Sequence, residues 1–156
     1  MKNFVLSISA LLMSVAVAVA AATPPDLSGS WVLNAAKSRN LGMMSTMDYA
    51  VEIKQTSDAL SVKDTTQMMG QTQEQETHYP LNGTSTPNVS YMGDKAQTTT
   101  HWDGAKLVTT WASPGAVAGT KSVRTETRSL SEDGKTMTVE STNGSKSPIV
   151  FTFDRK

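Results

Sequence analysis

Asp26-Leu27-Ser28-Gly29-Ser30-Trp31-Val32-Leu33-Asn34 is the stretch that decides the fold. Gly29, Trp31 and Leu33 share one face at the two-residue period of a strand, and Ser28, Ser30 and Val32 share the other. It reads as a first β-strand carrying a Gly-x-Trp step. The strands that follow are expected to return and close around Trp31.

Upstream, Lys2 is a minimal basic start, and Phe4 to Ala20 is apolar except for a few serines. Ala20-Ala21-Ala22 then supplies small residues before Thr23. This is the pattern of a secretory signal peptide, with an apolar core too short for a comfortable membrane span. Residues 1–22 are therefore expected to be removed and the protein to be exported, to the periplasm or the medium. Taking 22 residues from 156 leaves 134, enough for one domain, residues 23–156, with a real core. Loss of Lys2 moves the formal charge from 0 to −1. So neutral a chain carries no electrostatic footprint for nucleic acid or an anionic membrane. It has no cysteine, which excludes a disulfide framework, a thiol nucleophile and a lipid-modified cysteine.

Downstream the chain is rich in Thr, Ser, Gln and Val, residues that suit strands better than helices. Ala35 to Ser38 reads as one helical turn and Arg39 to Thr46 as a loop. Met47, Tyr49, Val51 and Ile53 then alternate against Asp48, Ala50, Glu52 and Lys54, the clearest half-buried strand in the chain. Leu60, Val62, Thr66 and Met68 continue an inward face. Asp64 falls on it too, so either the register shifts there or the interior is partly polar. Gln71 to Leu81 is a mostly polar strand, followed by a hairpin signal at Asn82-Gly83. Thr84 to Tyr91 holds Pro87 and reads as an irregular or edge segment.

Lys95 to Trp102 and Lys106 to Ala112 flank the turn Asp103-Gly104, with Trp102 and Trp111 facing inward. Thr120 to Leu130 leaves its register open, because Val123 and Leu130 fall on opposite faces. Thr136 to Ser141 and Pro148 to Arg155 complete the series, the last with Ile149, Phe151 and Phe153 on one face. Short strands joined by tight turns describe a meander. The fold expected is all-β: one antiparallel up-and-down β-barrel of about 8–10 strands, its last strand paired with its first so that few edges remain. A two-sheet β-sandwich is the alternative, though its long crossovers are hard to place among such short connections.

On Asp26 to Asn34, together with His101-Trp102-Asp103-Gly104-Ala105-Lys106-Leu107-Val108 and Ser131-Glu132-Asp133-Gly134-Lys135-Thr136-Met137-Thr138-Val139, the chain resembles the calycins. These are the lipocalins, fatty-acid-binding proteins and avidins, and the likeness is to small exported bacterial proteins described as lipocalin-like. The resemblance implies a structural motif in which Gly29 precedes Trp31 and Trp31 packs beneath an arginine from a late strand. Arg155 is the first choice for that arginine, with Arg128 and Arg124 behind it. The chain lacks the lipocalin disulfide cysteines, and its first loop is too short for the helical pair that covers fatty-acid-binding proteins.

A barrel of this size either holds one small ligand or fills with its own side chains. The leading expectation is non-catalytic binding of a small apolar or amphipathic molecule. Tyr49, Val51, Val62, Met68, Tyr79, Trp102 and Trp111 would line the barrel, and Leu41, Met43 and Met44 would form a mouth loop. The alternative is a solid-core barrel serving as a structural or protein-interaction module, since aromatic and Met side chains at strand spacing fill cores. A third reading takes Met43, Met44 and Met47 with Met68 and Met69 as soft thioether ligands for Cu(I).

Glu74, Glu76 and His78 share one face of a strand that is polar on both sides, which suits a solvated outer face better than a metal site. Two histidines, no Gly-x-Ser-x-Gly elbow, no phosphate-binding loop and no zinc pattern give no ground to expect catalysis, a cofactor or a metal.

Overall fold

A computed structural model describes residues 23–90, 93, 95–144 and 147–156. The expected signal peptide lies outside them. Ten strands follow in order: β1 (Gly29–Leu33), β2 (Asp48–Gln55), β3 (Ala59–Met68), β4 (Gln71–Pro80), β5 (Thr86–Val89), β6 (Lys95–Asp103), β7 (Lys106–Pro114), β8 (Lys121–Leu130), β9 (Thr136–Asn143) and β10 (Ile149–Arg155). They form one antiparallel sheet in the order β4-β3-β2-β1-β10-β9-β8-β7-β6-β5. The sheet rolls into a nearly closed up-and-down barrel with β10 beside β1, and the sandwich alternative falls away. Among the described residues no helix is long and apolar enough to cross a membrane.

β4 and β5 end the sheet and share no ladder. Asn82-Gly83 is therefore not a hairpin between paired strands. It belongs to a connection that pairs with β6, where Asn82 bridges His101 and the Gly83 amide donates to the Thr100 carbonyl over 2.9 Å. One side chain spans the β4/β5 seam instead. The Asn88 amide nitrogen donates to the His78 carbonyl (2.9 Å) and to Thr98 Oγ1 (2.7 Å), and its oxygen accepts the His78 N–H (3.3 Å). Pro87 stands in this outermost strand, where its missing N–H is tolerated.

Two register questions have clear physical answers. β2 and β3 pair one-to-one from Asp48–Gln67 to Gln55–Leu60 without a bulge, so Asp64 does face inward and the interior is partly polar. In β8 the inward set is Arg124, Glu126 and Arg128, while Val123 is exposed on the outer face. A charged alternation is accommodated there with the Glu126 carboxylate between two guanidinium groups.

One barrel end is shut by Trp31, which is fully buried and donates its indole N–H to the Leu27 carbonyl (3.1 Å). The Arg155 guanidinium lies over the Trp31 ring at 4.2 Å, donating from Nη1 to the Ser28 carbonyl (2.7 Å) and from Nε to the Gly134 carbonyl (2.8 Å). Gly29 makes room for it. With φ at +136° it is in a conformation side chains rarely adopt, and a Cβ there would sit 2.5 Å from Arg155 Nη1.

At the other end, the mouth, the β1–β2 connection makes two short 3-10 turns, Ala35–Lys37 and Gly42–Thr46, in place of the single turn and loop expected. Between them Arg39 pairs with Val150, so the connection continues the β10 ladder where β1 has stopped. The β3–β4 hairpin projects at the same end, with Met69 exposed at its tip.

Candidate ligand site at the barrel mouth and interior

Inside the barrel Tyr49 meets both Phe151 and Phe153 edge-on, those two rings stack on each other, and Tyr79 meets Trp111 edge-on. Set into this aromatic lining is a charged group. Glu126 forms an ion pair with Arg124 through one carboxylate oxygen (3.2 Å) and accepts from Arg128 through the other (3.1 Å). Arg124 lies over the Trp111 ring at 4.9 Å and Arg128 over the Tyr79 ring at 5.5 Å. Burial opposes the Arg128 charge most strongly, but Glu126, Tyr79, Asp64 and Tyr49 together outweigh it and raise the arginine's pKa. Burial pushes the Tyr79 hydroxyl up to about 12.

Facing this group from β3 is Asp64, whose Oδ1 accepts the Tyr49 hydroxyl at 2.7 Å. Burial pushes the Asp64 carboxyl up to about 6, against the opposing pull of the Tyr49 hydrogen bond and of Arg128.

Two spaces adjoin Asp64, a third opens beside them at the mouth, and a separate one of about 90 Å3 borders Arg124 and Trp111. The innermost holds only about 30 Å3 and is bordered by Tyr49, Val51, Val62, Asp64, Tyr79 and Trp111, among others. That is room for a water molecule or two. A second space of about 270 Å3 opens through the wall between β4 and the start of β6; it shares Asp64 and Ser90 with the first and is otherwise bordered by Thr66, Gln73, Glu74, Gln75 and Gly93. A third, of about 380 Å3, lies at the mouth between Met44, Met47, Met68, Met69 and Gln71, and shares Thr66 and Gln73 with the second. Lining residues thus run without a break from an apolar cleft outside, through a polar window, to an aromatic interior.

Several sequence-based expectations need correction. Met68 does not line the interior: its face points inward, but β3 outruns the barrel rim there, leaving Met68 half-exposed on the mouth cleft. Trp102 does not border the inner cavity either. It sits beside the Asp103-Gly104 turn and packs, half-buried, against the end of the core. In the mouth loop Met44 borders the cleft, Leu41 is buried in the core, and Met43 is 87% exposed. Arg124 and Arg128, the reserve partners for Trp31, stack on Trp111 and Tyr79 instead. Tyr49, Val51, Val62, Tyr79 and Trp111 do border the inner cavity.

Sequence reasoning misses Glu126 altogether, and does not assign Arg124 and Arg128 to the interior. Their only signal is the spacing Arg124-x-Glu126-x-Arg128, which pattern alone assigns to an outer face.

Glu74, Glu76 and His78 are on the outer face. Glu74 pairs with Lys63 (3.0 Å), while Glu76 and His78 both contact Ser61. Among the described residues no three His, Cys, Asp or Glu side chains are grouped to hold a metal.

No protein-family model matches the chain, and no curated protein matches it in sequence. Solved structures do match in fold. A REP1-NXSQ fatty acid transporter superposes with a TM-score of 0.66 at 17% identity, over 83% of this chain and 96% of the other. Lipid binding protein 8 of Caenorhabditis elegans gives 0.66 at 12% identity, over 83% and 94%. The fatty acid binding protein of Schistosoma mansoni, solved with arachidonic acid, gives 0.65 at 16%, over 83% and 95%. The barrel has the calycin fold. These neighbours carry the names of binding or transport proteins rather than of enzymes.

Proposed function

We propose that this is a non-catalytic binding protein that takes up a small apolar or amphipathic molecule at the barrel mouth. The observation carrying the reading is the methionine-lined cleft of about 380 Å3, joined through Thr66 and Gln73 to the window above Asp64. Its volume lies in the range of small-molecule sites, and thioether side chains adapt to apolar shapes. The names of the structural neighbours, which refer to fatty acid transport and binding, lend support. We further infer, from the pattern of residues 1–22, that the protein meets this molecule after export.

The test is native mass spectrometry of the protein purified from its own host, together with titration by an environment-sensitive apolar dye. A reproducible adduct lost on denaturation, and saturable dye binding weakened about tenfold by Met44→Glu or Met68→Glu, would support the reading. A bare mass with no saturable dye binding would overturn it. That outcome would favour a solid-core interaction module, the reading supported by an inner cavity of only about 30 Å3. A copper increment would favour the thioethers as Cu(I) ligands, since Met44, Met47, Met68 and Met69 border one cleft.

A further inference from the structure

We propose that the polar end of the ligand is a cationic hydrogen-bond donor, an amine on an apolar body, received by the Asp64 carboxylate where the inner cavity meets the window. This rests on the reading of the mouth as a site for a small amphipathic molecule and specifies its chemistry.

The arginines are poor hosts for an anion. Both are committed to Glu126, at 3.2 and 3.1 Å, and both are stacked on aromatic rings. Of their remaining donors, Arg124 Nε and Arg128 Nη1 are buried without a hydrogen-bond partner. An incoming carboxylate would have to compete with Glu126 for guanidinium groups already held against aromatic rings.

Asp64 is placed the opposite way. It borders both spaces, and the other charged side chain bordering the window among the described residues, Glu74, is on the outer face and paired with Lys63. It accepts a hydrogen bond from the neutral Tyr49 hydroxyl, and the other inward side chains beside it, Thr66, Gln73 and Gln75, are uncharged. The neighbouring lysine, Lys63, is on the outer face and holds Glu74. The groups facing Asp64 are Tyr49 from β2, Tyr79 from β4, and Glu126 with Arg128 from β8; Arg128 attracts Asp64 from a distance but is ion-paired with Glu126. A carboxylate buried to 8% exposure, with no cation in ion-pair contact among the described residues, is costly to keep ionised. An ammonium group delivered through the window would relieve that cost with a charge-assisted hydrogen bond.

The test compares three ligands with the same alkyl chain, dodecylamine, dodecanol and dodecanoate, by dye displacement at neutral pH below their micelle thresholds. The amine is expected to bind about tenfold or more tightly than the alcohol, with the carboxylate weakest. On the Asp64→Asn protein, checked for folding by its thermal melt, amine and alcohol should bind alike. Tighter binding of the carboxylate, equal binding of amine and alcohol by the native chain, or an amine preference that survives Asp64→Asn would each overturn the assignment while leaving the mouth site standing. Binding of none of the three would overturn both.

Discussion

Arg155 and Trp31 face each other across the β1–β10 ladder, with the guanidinium carbon 4.2 Å from the centre of the indole ring. The stacking itself is worth ~0.5–2 kcal/mol. The same guanidinium also holds the carbonyls of Ser28 and Gly134, so one side chain joins the lead into β1, the end of β10 and the β8–β9 turn. Trp31→Ala should cost ~3–5 kcal/mol in urea unfolding, because the fully buried indole leaves a cavity. Gly29→Ala should cost less in an Arg155→Ala background than in the native chain, since the Cβ would then clash with nothing. Additive effects would show that Arg155 and Gly29 do not share one contact.

Asp64 makes stability depend on pH in an unusual direction. Its folded pKa of about 6 is above the ordinary 3.8, so the folded state holds this proton more tightly than the unfolded state. The contribution is present in full below about pH 4 and is lost as pH rises through about 6. Asp64→Asn should therefore stabilise the protein at neutral pH by up to ~3 kcal/mol, since each tenfold difference in proton affinity between the two states is worth ~1.4 kcal/mol. The advantage should disappear below about pH 4. A variant less stable than the native chain at neutral pH would mean that the ionised carboxylate is better paired than its surroundings imply.

Removing Glu126 alone leaves two guanidinium groups buried without a counter-ion. Glu126→Ala should cost ~3–5 kcal/mol by chemical denaturation. Changing the group together, Arg124→Met, Glu126→Leu and Arg128→Met, should recover most of that loss, because desolvated charges would no longer need one another. A loss under ~1 kcal/mol in the single variant would indicate that water reaches the arginines.

The seam between β4 and β5 hangs on Asn88. Asn88→Ala removes its three hydrogen bonds to His78 and Thr98, each worth ~0.5–1.5 kcal/mol. Amide exchange should accelerate at His78 and along β4 and β5 while β8 and β9 stay protected. Unchanged exchange at His78 would show that the seam is held by other contacts.

Much of the architecture is legible in the sequence because burial on one face writes a two-residue rhythm. Tyr49, Val51 and Ile53 display that rhythm plainly, and the apolar Phe151 and Phe153 mark β10 as the strand able to close against β1. The rhythm says nothing of where the barrel ends, which is why Met68 reads as an interior residue although β3 carries it past the rim. Nor can it show that charges are buried. Arg124, Glu126 and Arg128 alternate as cleanly as any apolar strand, yet only three-dimensional neighbours reveal that they satisfy one another. Asp64 is the interior charge that betrays itself, because it interrupts an otherwise inward-facing run.

The open seam also has a mechanical consequence. The ring of strands is interrupted twice, at different places. The backbone ladder stops between β4 and β5, where the covalent chain is continuous; the covalent chain stops between β10 and β1, where the ladder is continuous. Lys156 donates to the Ser30 carbonyl at 2.9 Å, so both ends of the barrel chain leave from the same side. Tension applied through them would open the β10–β1 pairs one after another, like a zipper, starting at Arg155 and Trp31. The first part of the barrel to yield under load would be its shut end, while the mouth remained intact.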